Sequence, residues 1–225
     1  MPVRPRRVIL ASQSPRRREL AVAAGWDVIV APPPDAVEAE APPLRAAESI
    51  AGYVTRLARL KADAVATRFD PADRDNADRV LIACDTLGEI DGIALGKPRD
   101  RSDAAAMIRR LSGRRHRVVT GVSLRIPAAD HRTAATALRS PWTTHGHDGH
   151  LIVSGHTESE VSMDPIDSAA IEAYLESGGW RGKAGSCGLQ DGLLPLRLVA
   201  GTADTVVGLP VRTIEQLLDR FHEKV

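Results

Sequence analysis

Short stretches of this chain carry residue types suited to phosphate chemistry. Ser12-Gln13-Ser14-Pro15-Arg16-Arg17 places two hydroxyls and two guanidinium forks at a predicted helix start. Unpaired N–H groups at a helix N-terminus attract anions, and arginine adds permanent charge in a planar array of donors. Ser12, Ser14, Arg16 and Arg17 are therefore candidate phosphate ligands; the plainer alternative is a helix cap followed by surface arginines. Asp85 closes the apolar run Ile82-Ala83-Cys84 and is expected at the end of a strand. A carboxylate so placed suits a metal ligand or a general base for water, against the alternative of a turn residue. Lys97, in Gly96-Lys97-Pro98, has the charge to neutralise phosphate in a transition state, or simply lies solvated on a loop.

These residues need a scaffold, and short apolar runs alternate with helical segments as in an α/β or α+β domain. The pattern predicts a strand over Val8–Ala11 and a helix capped by Ser14 with Pro15 at its first position, closed by Gly25. A strand over Val28–Val30 and a Pro-rich loop from Pro32 to Pro43 follow, then a helix from about Ala46 to Phe69. Asp70–Asp78 reads as a polar break, Val80–Cys84 as a buried strand and Glu89–Leu95 as a hairpin turning at Asp91-Gly92. Ser102 is expected to cap a helix stopping at Gly113, and Val118–Leu124 to form a strand. Residues 127–150 read as an irregular insertion, with strands at Leu151–Val153 and Val161–Met163 beyond it. Asp167 caps a helix ending near Gly178; Leu193–Val199 is the last strand and Val211–Phe221 the last helix.

Composition narrows the class. The 225 residues are enough for one domain or for a domain with two lobes, and 43% are hydrophobic. Aromatic residues make up 3%, so aliphatic side chains must build the core. Thirty basic and 29 acidic residues leave a formal charge of +1, which argues against a broad nucleic-acid or membrane-binding surface. No apolar stretch has the length of a signal peptide or a membrane span, so a cytoplasmic protein is expected, with Cys84 and Cys187 as reduced thiols.

The phosphate-facing motif, Asp85-Thr86 and Gly96-Lys97-Pro98 are followed by four further motifs. These are Leu111-Ser112-Gly113, Val118-Val119-Thr120-Gly121-Val122, Lys183-Ala184-Gly185 and Val207-Gly208-Leu209-Pro210. In this order they resemble the Maf family, the septum-formation inhibitors or nucleoside triphosphate pyrophosphatases, over residues 8 to 221. The resemblance implies a single α/β domain related to the inosine-triphosphate pyrophosphatases, an elongated curved mixed sheet with a cleft between two lobes. It implies a homodimer that uses Mg2+ or Mn2+ and hydrolyses a nucleoside triphosphate to the monophosphate and pyrophosphate. By the same resemblance Asp85 is the proton acceptor for water attacking the α-phosphorus. Ser12, Ser14, Arg16, Arg17, Lys61 and Lys97 match the phosphate-facing positions. Glu38 matches an acidic residue that joins Asp85 toward the metal, with Asp35 and Glu40 as alternative counterparts. Arg16, Thr86 and Gln190 match the branch acting on dTTP and UTP rather than the branch acting on 7-methyl-GTP; a regulator of septum formation with little turnover is the other alternative. An amide such as Gln190 both donates and accepts, as the edge of a pyrimidine requires.

The chain departs from that pattern at a few positions. Cys84 replaces Ala, Leu60 replaces Glu before the helix lysine, and Thr205 replaces Asn. Ser186-Cys187 replaces an Ala-Tyr pair, and losing the ring is expected to open the base pocket. Cys84 beside Asp85 is either a nucleophile or, as favoured, an inert buried thiol. His145-x-His147-x-x-His150 is either a transition-metal site or, as favoured, part of a polar loop that also holds His131.

Overall fold

The computed structural model describes residues 6–69, 75–76, 78–127 and 138–222. Eight strands form a mixed sheet: β1 (Arg7–Leu10), β2 (Asp27–Val30), β3 (Val80–Ile90), β4 (Ile93–Leu95), β5 (Arg115–Pro127), β6 (Thr143–His147), β7 (His150–Met163) and β8 (Leu196–Ala200). The helices are α1 (Pro15–Ala23), α2 (Asp35–Ala39), α3 (Ile50–Ala66), α4 (Arg101–Leu111), α5 (Ser168–Glu176), α6 (Ala203–Val207) and α7 (Val211–His222). The sheet order is β2-β1-β3-β5-β7-β6, with β4 added to β3 and β8 to β7. β1 runs parallel to β2 and to β3; the β3–β4, β6–β7 and β7–β8 pairs are antiparallel. Among the described residues no helix is long and apolar enough to cross a membrane.

The chain forms two compact units, one of residues 1–85, 121–156 and 209–225, the other of residues 86–120 and 157–208. In the first, strands buried on both faces explain the unbroken apolar runs. Val8, Leu10, Val80, Ile82, Cys84, Val122 and Leu124 join one cluster with Ala21 of α1 and Ile214, Leu217 and Leu218 of α7. Ile9, Ala11, Leu81 and Ala83 alternate to the other face and meet Ala62 and Val65 of α3. By the same alternation Asp85 follows Leu81 and Ala83 onto the α3 face. The second unit has its own core, where Ala104, Ile108 and Leu111 of α4 meet Ile171, Tyr174 and Leu175 of α5.

Helix α3 sits unusually close to the sheet at Gly121. A Cβ at this glycine would lie 2.2 Å from the Val54 carbonyl oxygen and 2.5 Å from the Thr55 nitrogen, so only glycine admits the helix backbone there. Thr55 fastens the contact, its hydroxyl lying 2.8 Å from the Ala51 carbonyl and 3.1 Å from that of Gly155.

Several sequence-derived boundaries change. Asp85 is not at a strand end: β3 continues to Ile90, because Gly88 and Ile90 stay buried and pair with β4. Leu151–Val153 and Val161–Met163 belong to one 14-residue strand, whose polar middle buries Ser154 and Ser159. The Pro-rich loop contains α2, and α4 is capped by the Asp100 carboxylate rather than by Ser102. Of the stretch expected to be irregular, residues 128–137, His131 among them, lie outside the described residues, while Thr143–His147 is strand β6. Its turn, Asp148-Gly149, has both φ angles positive, the conformation a two-residue hairpin needs.

His116 on β5 is 6% exposed, and burial pushes its imidazole down to about 4. Between that value and the ordinary 6.5 the unfolded chain takes up a proton that the folded chain refuses. Stability from this residue is thus complete above about pH 6.5 and is lost as pH falls toward 4, by roughly 3 kcal/mol at the acid end. Thermal melts at pH 7 and pH 4.5 should show a smaller acid loss in His116→Leu than in the parent chain; equal losses would remove His116 from this role.

Candidate active site

Two candidate residues of the first unit, Glu38 and Asp85, converge on Lys61. This lysine lies on the buried stripe of α3 with Val54, Ala58, Ala62 and Val65, and its side chain is 7% exposed. Its Nζ is 2.5 Å from Asp85 Oδ1 and 2.8 Å from Glu38 Oε1, so one ammonium holds two carboxylates. A buried charge is tolerated only when paired and hydrogen-bonded, and these two contacts meet that need. Asp85 is 14% exposed and Glu38 46% exposed, so the pair reaches from the protein interior to solvent. Glu38 is thus the acidic residue of α2 that faces Lys61. Asp35, one of its alternatives, accepts instead from the Gln13 side chain at 2.9 Å.

The start of α1 lies beside β3. Ser14 caps the helix, its Oγ accepting from the Arg17 backbone N–H at 3.4 Å, with Pro15 in the first turn. Ser12 is buried, and its Oγ accepts from the Ser14 backbone N–H at 3.1 Å. Arg17 Nη1 donates to the Cys84 carbonyl at 2.8 Å and lies 3.4 Å from Ser12 Oγ. Arg17 therefore ties the helix start to the residue before Asp85, a bracing contact that residue types alone did not reveal. Arg16 is half-buried on the same turn.

Cys84 points away from this chemistry. It is fully buried in the cluster of α1 and α7, and burial pushes its thiol up to about 11 against the pull of Arg17 and Lys61. A thiol so protonated is no nucleophile. Both cysteines are free, and burial raises Cys187 to about 12.

Thr86, Lys97 and Gln190 belong to the second unit. The Thr86 hydroxyl is 2.9 Å from that of Thr120, which itself donates to the Thr205 carbonyl at 2.8 Å. Thr120 has a single hydroxyl proton, so Thr86 is the donor of the first bond. Thr205, one of the departures from the family pattern, meets this chain through its carbonyl, while its hydroxyl donates to that of Thr157 and lies 2.9 Å from that of Thr202. Lys97 is exposed, and the backbone beside it is held by the Gly185 N–H donating to the Gly96 carbonyl at 3.0 Å. Gln190 is exposed on the short 3-10 turn Leu189–Asp191, which is anchored by an ion pair from buried Lys183 to Asp191. Ser186 is buried with φ 64°, and its carbonyl accepts from the Tyr174 hydroxyl at 2.9 Å. Cys187 packs against the second core.

Among the described residues no group of three His, Cys, Asp or Glu side chains could hold a metal ion. This excludes the site considered for His145, His147 and His150, whose rings share one face of the β6–β7 hairpin without converging. The pair Glu38 and Asp85 is a smaller donor set of hard oxygens. Such oxygens are the donor type that a magnesium-class ion takes, one or two at a time, with phosphate and water completing its shell.

Comparison with known proteins follows the same pattern. The family model described as Maf-like protein matches residues 7–221. A protein of Symbiobacterium thermophilum named dTTP/UTP pyrophosphatase is 36% identical over 218 residues, covering 95% of this chain and 93% of its own. One of the same name from Vibrio cholerae is 37% identical, covering 96% and 98%. A third, from Salinibacter ruber, is 38% identical, covering 94% and 89%.

Proposed function

The chain belongs to the Maf-like protein family, and from that premise we propose that it hydrolyses dTTP and UTP to the monophosphate and pyrophosphate. The observation that supports this reading best is the Asp85–Lys61–Glu38 constellation next to the α1 start.

In the proposed reaction Asp85 takes a proton from water as the water oxygen bonds to the α-phosphorus. The bond from that phosphorus to the bridging oxygen breaks, and pyrophosphate leaves with the electron pair. Lys61 holds the Asp85 carboxylate through a charge-assisted hydrogen bond, so the base is oriented before substrate arrives. Ser12, Ser14 and Arg16 contribute hydroxyls and charge at a helix N-terminus for the phosphate chain, and Lys97 is the further ammonium proposed to neutralise phosphate charge. Arg17 keeps the α1 start on β3. Glu38 and Asp85 would hold Mg2+ or Mn2+, which when bound neutralises phosphate charge.

For the base, Arg16, Thr86 and Gln190 carry the proposed choice of thymine and uracil. A panel of dTTP, UTP, CTP, GTP and 7-methyl-GTP, each with magnesium and with manganese, tests the assignment through pyrophosphate release. The expected outcome is kcat/KM for dTTP and UTP above that for 7-methyl-GTP by at least about tenfold, while the pyrimidines differ among themselves by less. A preference for 7-methyl-GTP would overturn the substrate, and no release from any triphosphate would overturn the reaction.

A further inference from the structure

The α3 face of the first unit also holds a cavity of about 880 Å3 that the proposed reaction leaves unused. Its floor is apolar, from Ile9, Leu81 and Ile152 of the sheet and Ala66 and Phe69 at the end of α3. Arg59 and Asp63 of α3, Arg125 of β5 and His145 and His147 of β6 form its walls. Arg59, Asp63 and Ala66 make one stripe of the helix, and Lys61 lies about 160° around the axis from Arg59 at 100° per residue. The cavity is therefore separate from the Asp85 site.

Its lining is rich in arginine. Four guanidinium groups (Arg59, Arg68, Arg79, Arg125) face two carboxylates (Asp63, Asp148). Arg79 is bound to Asp27, and Arg68 donates to the Pro32 carbonyl at 2.6 Å. Arg125 is only 12% exposed; its Nη2 meets Asp63 at 2.6 Å, yet its Nε is buried with no hydrogen-bond partner among the described residues. His145 is disfavoured as a cation, first by burial, then by Arg59 and His147 and more weakly by Arg125, with Asp63 opposing. Arg59 and Arg125 both bear on His145, and an anion set among these groups offsets their like charge.

We propose that this cavity binds a phosphate-class polyanion, either inorganic pyrophosphate or the phosphates of a nucleotide, between Arg59, Arg125 and His145. Guanidinium forks match phosphate oxygens in pairs, and the volume lies within the range of small-molecule sites. The apolar floor offers the nucleotide a surface for its base.

Calorimetric titration of the full chain with pyrophosphate, and separately with UMP, tests this. Three proteins are compared: the parent, the cavity variant Arg59→Glu with His145→Glu, and a variant of the α1 start, Ser14→Ala with Arg16→Ala. The α1 variant should retain a binding event that the cavity variant weakens by at least about tenfold. Arg59→Gln with His145→Gln replaces the charge reversal if that variant melts early. Pyrophosphate alone responding identifies the free anion as occupant, and UMP responding identifies the nucleotide. Superimposable isotherms for parent and cavity variant with both probes, or sulfate binding as tightly as either, would overturn the assignment. The readout is binding at the cavity, so a chain without triphosphate turnover would remove the proposed reaction and leave this inference standing.

Discussion

Asp85→Asn is expected to lower kcat for pyrophosphate release by about 10²–10⁴-fold, the usual contribution of a positioned general base. The amide keeps the shape and still accepts from Lys61, but it cannot take the proton of water. Lys61 retains Glu38 at 2.8 Å, so no buried charge is orphaned and the fold should survive. Nucleotide affinity, measured by equilibrium titration, should change by only a few-fold. Retention of more than about a tenth of the parent rate would remove Asp85 from the role of base.

The second large effect is expected far from any phosphate. Gly121→Ala sets a methyl against the Val54 carbonyl, and the nearest helix atoms would have to retreat by about 1 Å to reach ordinary contact. The obstacle is backbone, which has no rotamer to change, so the cost should reach the upper end of overpacking, about 3 kcal/mol or more. For a chain of this size that corresponds to a melting temperature lower by roughly 6–12 °C. Because α3 also carries Lys61, kcat should fall by up to about 10²-fold even at temperatures where the variant is folded. A melting temperature and kcat both within error of the parent would show that α3 does not depend on this glycine.

Much of this arrangement is legible in the residues. The apolar run ending at Asp85, the Ser14 cap with Pro15, and the Asp91-Gly92 turn each follow from local chemistry, and each is found. The extension of β3 past Asp85 is not legible locally. Gly88 and Glu89 are weak strand residues, and pairing with Leu95 and Ala94 of β4 holds them extended. β6 was hidden by a composition of Thr, His and Gly, although Asp148-Gly149 is a hairpin signal in its own right. Lys61 came from resemblance, yet its position seven residues after Val54 already sets it on the helix's buried stripe. The tie from Arg17 to the Cys84 carbonyl could not be read at all, since it joins residues 67 apart through a backbone acceptor.

The seat of α3 on Gly121 also governs where this protein can change length. Val54 is fixed against the sheet, and Lys61 lies seven residues, or nearly two helical turns, beyond it. One residue inserted or deleted between them would rotate the lysine by about 100° and shift it by about 1.5 Å along the axis. The ammonium would then leave both carboxylates, and a charged group would replace Ala62 or Leu60 in its neighbourhood. Insertions and deletions among relatives should therefore avoid the interval 54–61 and gather in segments outside it, so that this helix keeps its count of residues where its sequence is free to drift.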